Sequence, residues 1–463
     1  MTVVSSSAPP LSPKLNLQLS LMMFLQYGIW GAWLPILFPY MGYLGFKPGE
    51  SVAIFFVGAV GAIIGPFLAG QVADRYFNTE KFLAVSHILG GVLVWFLSSV
   101  HSFGAFLVFS LLYGLIYAPT LALTNSLTFH HVPDRDRDFG KIRVWGTIGW
   151  IVVGIAVGQW LAASHTPRGP EALAAAAAKY HLAAGTPNET IVATAQNAGR
   201  ADAFRFSAVL GVLMGVFCLA LPKTPPSKFS GSGGSGDAAI KKNATLEALG
   251  EIKRQPLLTL FLLAVPISMI HQFYFVHTSG FLTELQVREE SAQSFAAAIN
   301  KILGLGGGGL MTVGQMTEIL VLALIPFFAK KVSRKALLAA GIVAYGLRMA
   351  LFAYTTSMLP ILVGVALHGF CFGCFIFVSF MVVDEETSKD VRASAQNLFN
   401  LVVMGLGITV GSWFAIYVVG QWAVVDGKTN YTKLFSVPMW MSAACLVLLL
   451  LFYRGGKKAQ PVA

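Results

Sequence analysis

Long uncharged apolar blocks alternate along this chain with short polar breaks. No Asp, Glu, Lys or Arg stands between Lys14 and Lys47 or between Glu50 and Asp74. Lys81 to Asp134 is charge-free around a turn near His101-Ser102-Phe103-Gly104, which leaves room for two crossings. Further blocks lie between Arg143 and Arg168, Arg205 and Lys223, and Arg254 and Glu284. Ile302 to Ala329 carries only Glu318, and Ala336 to Val383 holds two crossings with only Arg348 inside. The last blocks run from Ala393 to Val425 and from Leu434 to Tyr453. A spanning helix needs about 20 apolar residues, because each rises 1.5 Å through a hydrocarbon core about 30 Å thick. The pattern therefore predicts an all-α polytopic membrane protein with twelve transmembrane helices. Six precede a polar stretch and six follow it, which predicts an N-terminal bundle over 1–222, a linker over 223–256 and a C-terminal bundle with a basic tail over 257–463. The linker includes the coil-forming run Ser232-Gly233-Gly234-Ser235-Gly236.

Composition agrees with the blocks. Hydrophobic residues make up 56% of the chain and charged residues 11%, against roughly a quarter charged in a soluble domain. The net charge of +11 reads as a topology signal and excludes no membrane partner, whereas a nucleic-acid partner is not expected. An even number of crossings puts both termini on one side, and basic residues favour the cytoplasm. With the N-terminus inside, 22 of the 32 Lys and Arg fall in inside segments and nine outside. The expected place is the cell inner membrane, multi-pass, with both termini cytoplasmic and the lipid bilayer as surroundings. Met1 to Pro13 lacks a basic n-region and a small-residue cleavage site, so the first block is expected to be a retained helix.

Several chemistries find no footing. There is no G-x-x-x-x-G-K-[ST] loop for nucleotide-driven work, and no G-x-S-x-G or H-E-x-x-H for hydrolysis. Cys371-x-x-Cys374 sits in a Phe-rich span with no strand beside it and reads as packing rather than as a redox or metal site. No metal or other cofactor is expected, and no enzyme, although an intramembrane enzyme is the alternative from a different class. Two outside segments stand out. His165 to Asp202 is Ala-rich and suits one short helix or partial disorder. Gly304 with Gly306 to Gly309 suits a mobile gate or a non-helical lead into the next span.

Polar groups inside apolar spans are costly and so are functional candidates. Glu318 lies mid-span, three residues after Gln315 on the same helix face. A carboxyl there can cycle between protonated and charged forms; the plainer reading is a structural ion pair. Arg143, Thr147 and Trp150 follow an i, i+4, i+7 spacing that aligns a cation, a hydroxyl and a ring. That stripe suits a polar solute with a flat ring, unless Arg143 only reaches for the membrane surface. Gln272 lies among His271, Tyr274, Phe275 and His277, and His368 and Phe372 are four apart on the tenth span. Arg348 reads as a buried structural partner. Gly70-x-x-x-Asp74-Arg75 closes the second span and resembles the start of the major facilitator loop signature, where Asp74 and Arg75 would act as a conformational gate.

The chain as a whole resembles the nucleoside:proton symporter family, a branch of the major facilitator superfamily that includes the bacterial nucleoside permeases. The resemblance rests on Phe24-Leu25-Gln26 through Trp30-Gly31-x-Trp33-Leu34, on Tyr117-Ala118-Pro119-Thr120-Leu121, and on Ile142-Arg143-Val144-Trp145-Gly146-Thr147-Ile148-Gly149. Ile325-Pro326-Phe327-Phe328 and Arg392-Ala393-Ser394-Ala395-Gln396 add to it. It implies the major facilitator fold and proton-coupled nucleoside import by a monomer. It also implies a substrate pocket at Arg143, Thr147, Trp150, Gln272, Gln315, Glu318, His368 and Phe372, with Glu318 coupling the proton. The chain departs from the family at Phe275 (an asparagine in the permeases), His368 (a tyrosine), Gly373 (an aspartate) and Trp150 (a phenylalanine). Those changes imply altered selectivity, and a proton-coupled symporter of a sugar or other polar solute is the alternative within the class.

Overall fold

In hydrocarbon every backbone N–H and C=O must find a partner within its own segment, which makes helices the natural outcome of these blocks. The computed structural model describes residues 9–225, 247–290, 295–328, 331–388 and 391–454. Among the described residues, eleven helices are long and apolar enough to cross a membrane. The other expected crossing is the 29-residue helix Pro48–Tyr76, which rises about 44 Å at 1.5 Å per residue. The backbone of Asp74 and Arg75 ends that helix, but their side chains lie outside the described residues, as does the Ser/Gly run of the linker.

Local chemistry explains the helix limits. Ser12 caps the first span, its hydroxyl accepting from the Leu15 N–H at 3.3 Å, with Pro13 at the first helical position. Pro35 cannot donate to the preceding turn, and the run Leu34–Ile36 tightens to a 3₁₀ turn before Leu37–Tyr43 resumes. The 165–202 segment holds two short helices, Pro170–Lys179 and Asn188–Gly199, where one was expected. The first ends in a Schellman turn, with His181 at φ +52° and the Leu182 N–H donating to the Ala177 carbonyl at 2.9 Å, before Gly185, at φ +83°, leads toward the second. Residues 424–429 form a hairpin, β1 (Val424–Val425) and β2 (Lys428–Thr429), turned by Asp426-Gly427 with both residues at positive φ.

The chain divides into two compact units. The first comprises the described residues of Met1–Leu34, Val60–Val157 and Arg200–Phe229, and the second those of Pro35–Ala59, Gly158–Gly199 and Ser230–Ala463. The units therefore do not divide at one point in the chain. In the first, Trp33, Tyr113, Phe106 and Phe204 form an aromatic core. In the second, Phe281, Phe352, Tyr431 and Phe435 do the same. The glycine run there is a fastened, non-helical lead into the Gly308–Phe328 helix. Gly304, Gly306 and Gly307 take positive φ, and the buried Gln286 ties them down. Its Nε2 donates to the Gly304 carbonyl at 2.9 Å, and its Oε1 accepts from the Gly307 N–H at 2.9 Å.

Candidate functional site

The first unit builds an aromatic face around the Arg143 stripe. Arg143, Thr147 and Trp150 are all half-buried on the helix Arg135–Ser164. Close approach of the first span decides what they meet. A Cβ on Gly149 would sit 2.1 Å from the Phe24 carbonyl oxygen, so only glycine permits this backbone contact. The approach brings the Tyr27 ring under Arg143, with the guanidinium carbon 4.0 Å from the ring centroid. That is cation–π distance, and it holds Arg143 against its neighbour helix. Trp150 stands edge-on to Trp30 with centroids 6.5 Å apart, and Trp30 in turn meets Tyr117 at 5.6 Å.

Behind that face lies a buried polar knot. Gln26 Nε2 donates to Thr120 Oγ1 at 2.8 Å, and Gln26 Oε1 meets His87 Nε2 at 2.9 Å. Since the Gln26 oxygen can only accept, His87 Nε2 carries the hydrogen. The Tyr117 hydroxyl donates to the Gln26 backbone carbonyl. Three spans are thus tied together through one fully buried amide, and a satisfied buried network of this kind rigidifies its surroundings.

The second unit gathers its ionisable groups into a row. Glu318 on Gly308–Phe328 approaches His368, Oε2 to Nε2, at 3.5 Å. His368 Nδ1 accepts from Arg348 Nη1 at 3.1 Å; Arg348 lies on Arg334–Tyr354 and is wholly buried. The guanidinium stacks 4.4 Å above Tyr274 and 5.1 Å from Tyr345. Tyr345 Oη shares a hydrogen with His271 Nδ1 at 2.8 Å. Gly314 allows the row to close up, since a Cβ there would lie 2.9 Å from the His368 Cβ. Just beyond His368 the tenth span widens into a π-helical stretch, Cys371–Phe377, which carries the half-buried Phe372. Such widened turns recur at functional sites because they re-aim side chains.

Of the residues marked in the sequence, the structure brings Glu318 and His368 together and leaves Gln272 bonded elsewhere. Gln272 Nε2 donates to Ser412 Oγ at 2.8 Å. Three buried polar groups beside the row retain unused hydrogen-bonding capacity among the described residues: Gln315 Oε1, Tyr274 Oη, and the Nε and Nη2 of Arg348. Buried polar groups are nearly always satisfied, so these are the positions where a polar solute would gain most. His277 is satisfied by the Ala415 carbonyl at 2.9 Å, a structural role. Phe275 packs edge-on to His271 and His368. Gly373 faces Val321, whose Cγ1 would stand 2.7 Å from an added Cβ, so an acidic side chain would not fit there without a shift. Among the described residues no cluster of His, Cys, Asp or Glu is arranged for a metal ion. Sequence reading passed over His87, Tyr345 and Ser412. Its own rule, that an ionisable group within an apolar span deserves notice, would have found His87.

Comparison with known proteins places this geometry in context. The family model described as nucleoside H⁺ symporter matches residues 13–186 and 188–458. YegT of Escherichia coli (strain K12) is 30% identical over 451 residues, covering 95% of this chain and 94% of that protein. The xanthosine permease of the same organism is 27% identical over 453 residues, 96% of each. A crystal structure of the nucleoside transporter NupG superposes with a TM-score of 0.73 at 22% identity, over 95% of this chain and 100% of that one. That of a D-xylose–proton symporter gives 0.64 at 13% identity, over 96% and 99%. The structural likenesses show the expected major facilitator fold.

Proposed function

Because the chain belongs to the nucleoside H⁺ symporter family, we propose that it imports a nucleoside together with protons by alternating access. In this reading two six-helix halves, 1–222 and 257–463, rock about a midplane site, joined by the 223–256 linker. Arg143, Thr147, Gln272 and Gln315 hydrogen-bond the solute, and Trp150 and Phe372 pack against its base. The observation that carries the reading is the row Glu318–His368–Arg348 within apolar spans, with His368 and Arg348 buried and Glu318 half-buried. Groups that cost this much to bury are retained for proton or solute handling. Coupling requires that proton and solute both favour the same occupied state, and Glu318 is the group that changes charge. The monomer is the transporting unit, set in the inner membrane with both termini cytoplasmic, and Asp74 and Arg75 lock one conformer.

The relatedness to a xanthosine permease makes purine nucleosides the first solutes to try. Proteoliposome uptake under an imposed pH gradient tests the proposal. Wild-type protein should concentrate a nucleoside, and Glu318→Gln, which keeps size but cannot cycle a proton, should lose accumulation while still exchanging labelled solute. Accumulation by Glu318→Gln equal to wild type would remove Glu318 as the coupling acid. A panel that includes xylose, with uptake of the sugar and none of any nucleoside, would move the solute class.

A further inference from the structure

We propose that Arg348 is a positioning residue for the coupled proton: by donating to Nδ1 of His368 it keeps that ring neutral, with its one N–H turned to Glu318, so that the proton lands on the carboxylate and not on the imidazole. This rests on Glu318 as the coupling acid. The argument begins with donor inventory. A guanidinium has five N–H donors and no acceptor, so the atom it meets at 3.1 Å must offer a lone pair. That atom is His368 Nδ1. An imidazolium, protonated at both nitrogens, has no lone pair to offer and would place a second cation against a wholly buried one. The hydrogen of the neutral ring therefore sits on Nε2, the nitrogen 3.5 Å from Glu318 Oε2.

Packing keeps the ring from turning over, which would put carbons Cδ2 and Cε1 where Nδ1 and Nε2 now stand. Tyr274 stacks on it at 4.8 Å and 22°, and His271 at 5.4 Å and 27°. Among the described residues, the titratable and charged groups about His368 are His271 and Tyr274 from the seventh span, Glu318 from the eighth and Arg348 from the ninth, with Tyr345 of the ninth behind His271 and Cys371 three residues further along its own span. Arg348 is the one fixed charge of that set, because arginine does not lose its proton in proteins. When Glu318 takes a proton, the negative charge facing the His368–Arg348 pair disappears. That change of charge distinguishes the loaded from the unloaded site.

Nitrogen-15 NMR of histidine-labelled protein in detergent reads the tautomer, with the His368 signal identified by its loss in His368→Gln. The expected result is a neutral Nε2–H ring from about pH 5.5 to about pH 8, the range in which a free imidazole titrates. In Arg348→Gln, His368 should titrate within that range, and Arg348→Lys, another donor-only cation, should restore the wild-type signal. The pH midpoint of driven uptake should move up by about one unit or more in Arg348→Gln, since losing a neighbouring cation eases protonation. A doubly protonated or Nδ1–H ring in wild type overturns the proposal even if Arg348→Gln does not fold. So does an unchanged His368 signal and uptake profile in a folded Arg348→Gln. If those fail while Glu318→Gln still loses accumulation, the positioning role falls alone; if Glu318→Gln keeps accumulation, the coupling reading falls and takes this one with it.

Discussion

Arg143 shows how one side chain's meaning depends on what lies beneath it. The sequence left it between solute recognition and a reach to the membrane surface, and the Tyr27 ring at 4.0 Å draws it against the first span. Its donors stay directed by that stacking, so Arg143→Ala should weaken solute binding by about 1.5–3 kcal/mol for each charge-assisted hydrogen bond lost. Isothermal titration of folded, monodisperse protein checks this, and unchanged affinity would return Arg143 to a surface role. Tyr27→Leu should cost less, about 0.5–1 kcal/mol, because it removes the cation–π support and leaves the donors. Glu318 and Gln315 were legible in the sequence, as polar residues three apart in an apolar block. The hydrogen bond from Gln272 to Ser412 was not, since those residues lie 140 positions apart.

At the scale of elements, close helix approach is written in glycines whose partners the sequence does not name. Gly149 faces the Phe24 carbonyl, so Gly149→Ala should force the two spans apart and cost about 1–3 kcal/mol, the usual range for overpacking. Gly104→Ala, with nothing within 4 Å of the added carbon, should leave the melting temperature unchanged in the same thermal-shift series. The Gly304–Gly307 turn depends on Gln286, and Gln286→Leu should raise hydrogen exchange across 301–307 while the Leu257–Glu290 helix stays protected. Equal exchange in both proteins would show that the turn holds itself. The Asp426-Gly427 dipeptide is a two-residue turn signal that the sequence reading passed over, running the apolar block on to Val425 where the helix ends at Trp422. The π-helical stretch Cys371–Phe377 was not readable, because nothing in a run of apolar residues distinguishes a five-residue hydrogen bond from a four-residue one.

For the molecule as a whole, the charge count predicts sidedness, and the four native cysteines, all buried, leave a clean background for testing it. In intact cells a membrane-impermeant maleimide should label Asp426→Cys, in the exposed hairpin. It should label Ser333→Cys, exposed at the start of the ninth span, only after permeabilisation. The reverse pattern would invert the topology. What the sequence by itself determined is the class of protein and which segments become its long apolar helices. Charge is so costly in hydrocarbon that each uncharged block is committed to a helix and each basic break to an end of one. What only the tertiary structure decided is which polar groups meet: Gln26 with His87 and Thr120, and Glu318 with Arg348 through His368. Those meetings depend on the rotation and depth of each helix against its neighbours. Hydropathy reports that a segment is buried in the membrane and is silent on which way each face turns.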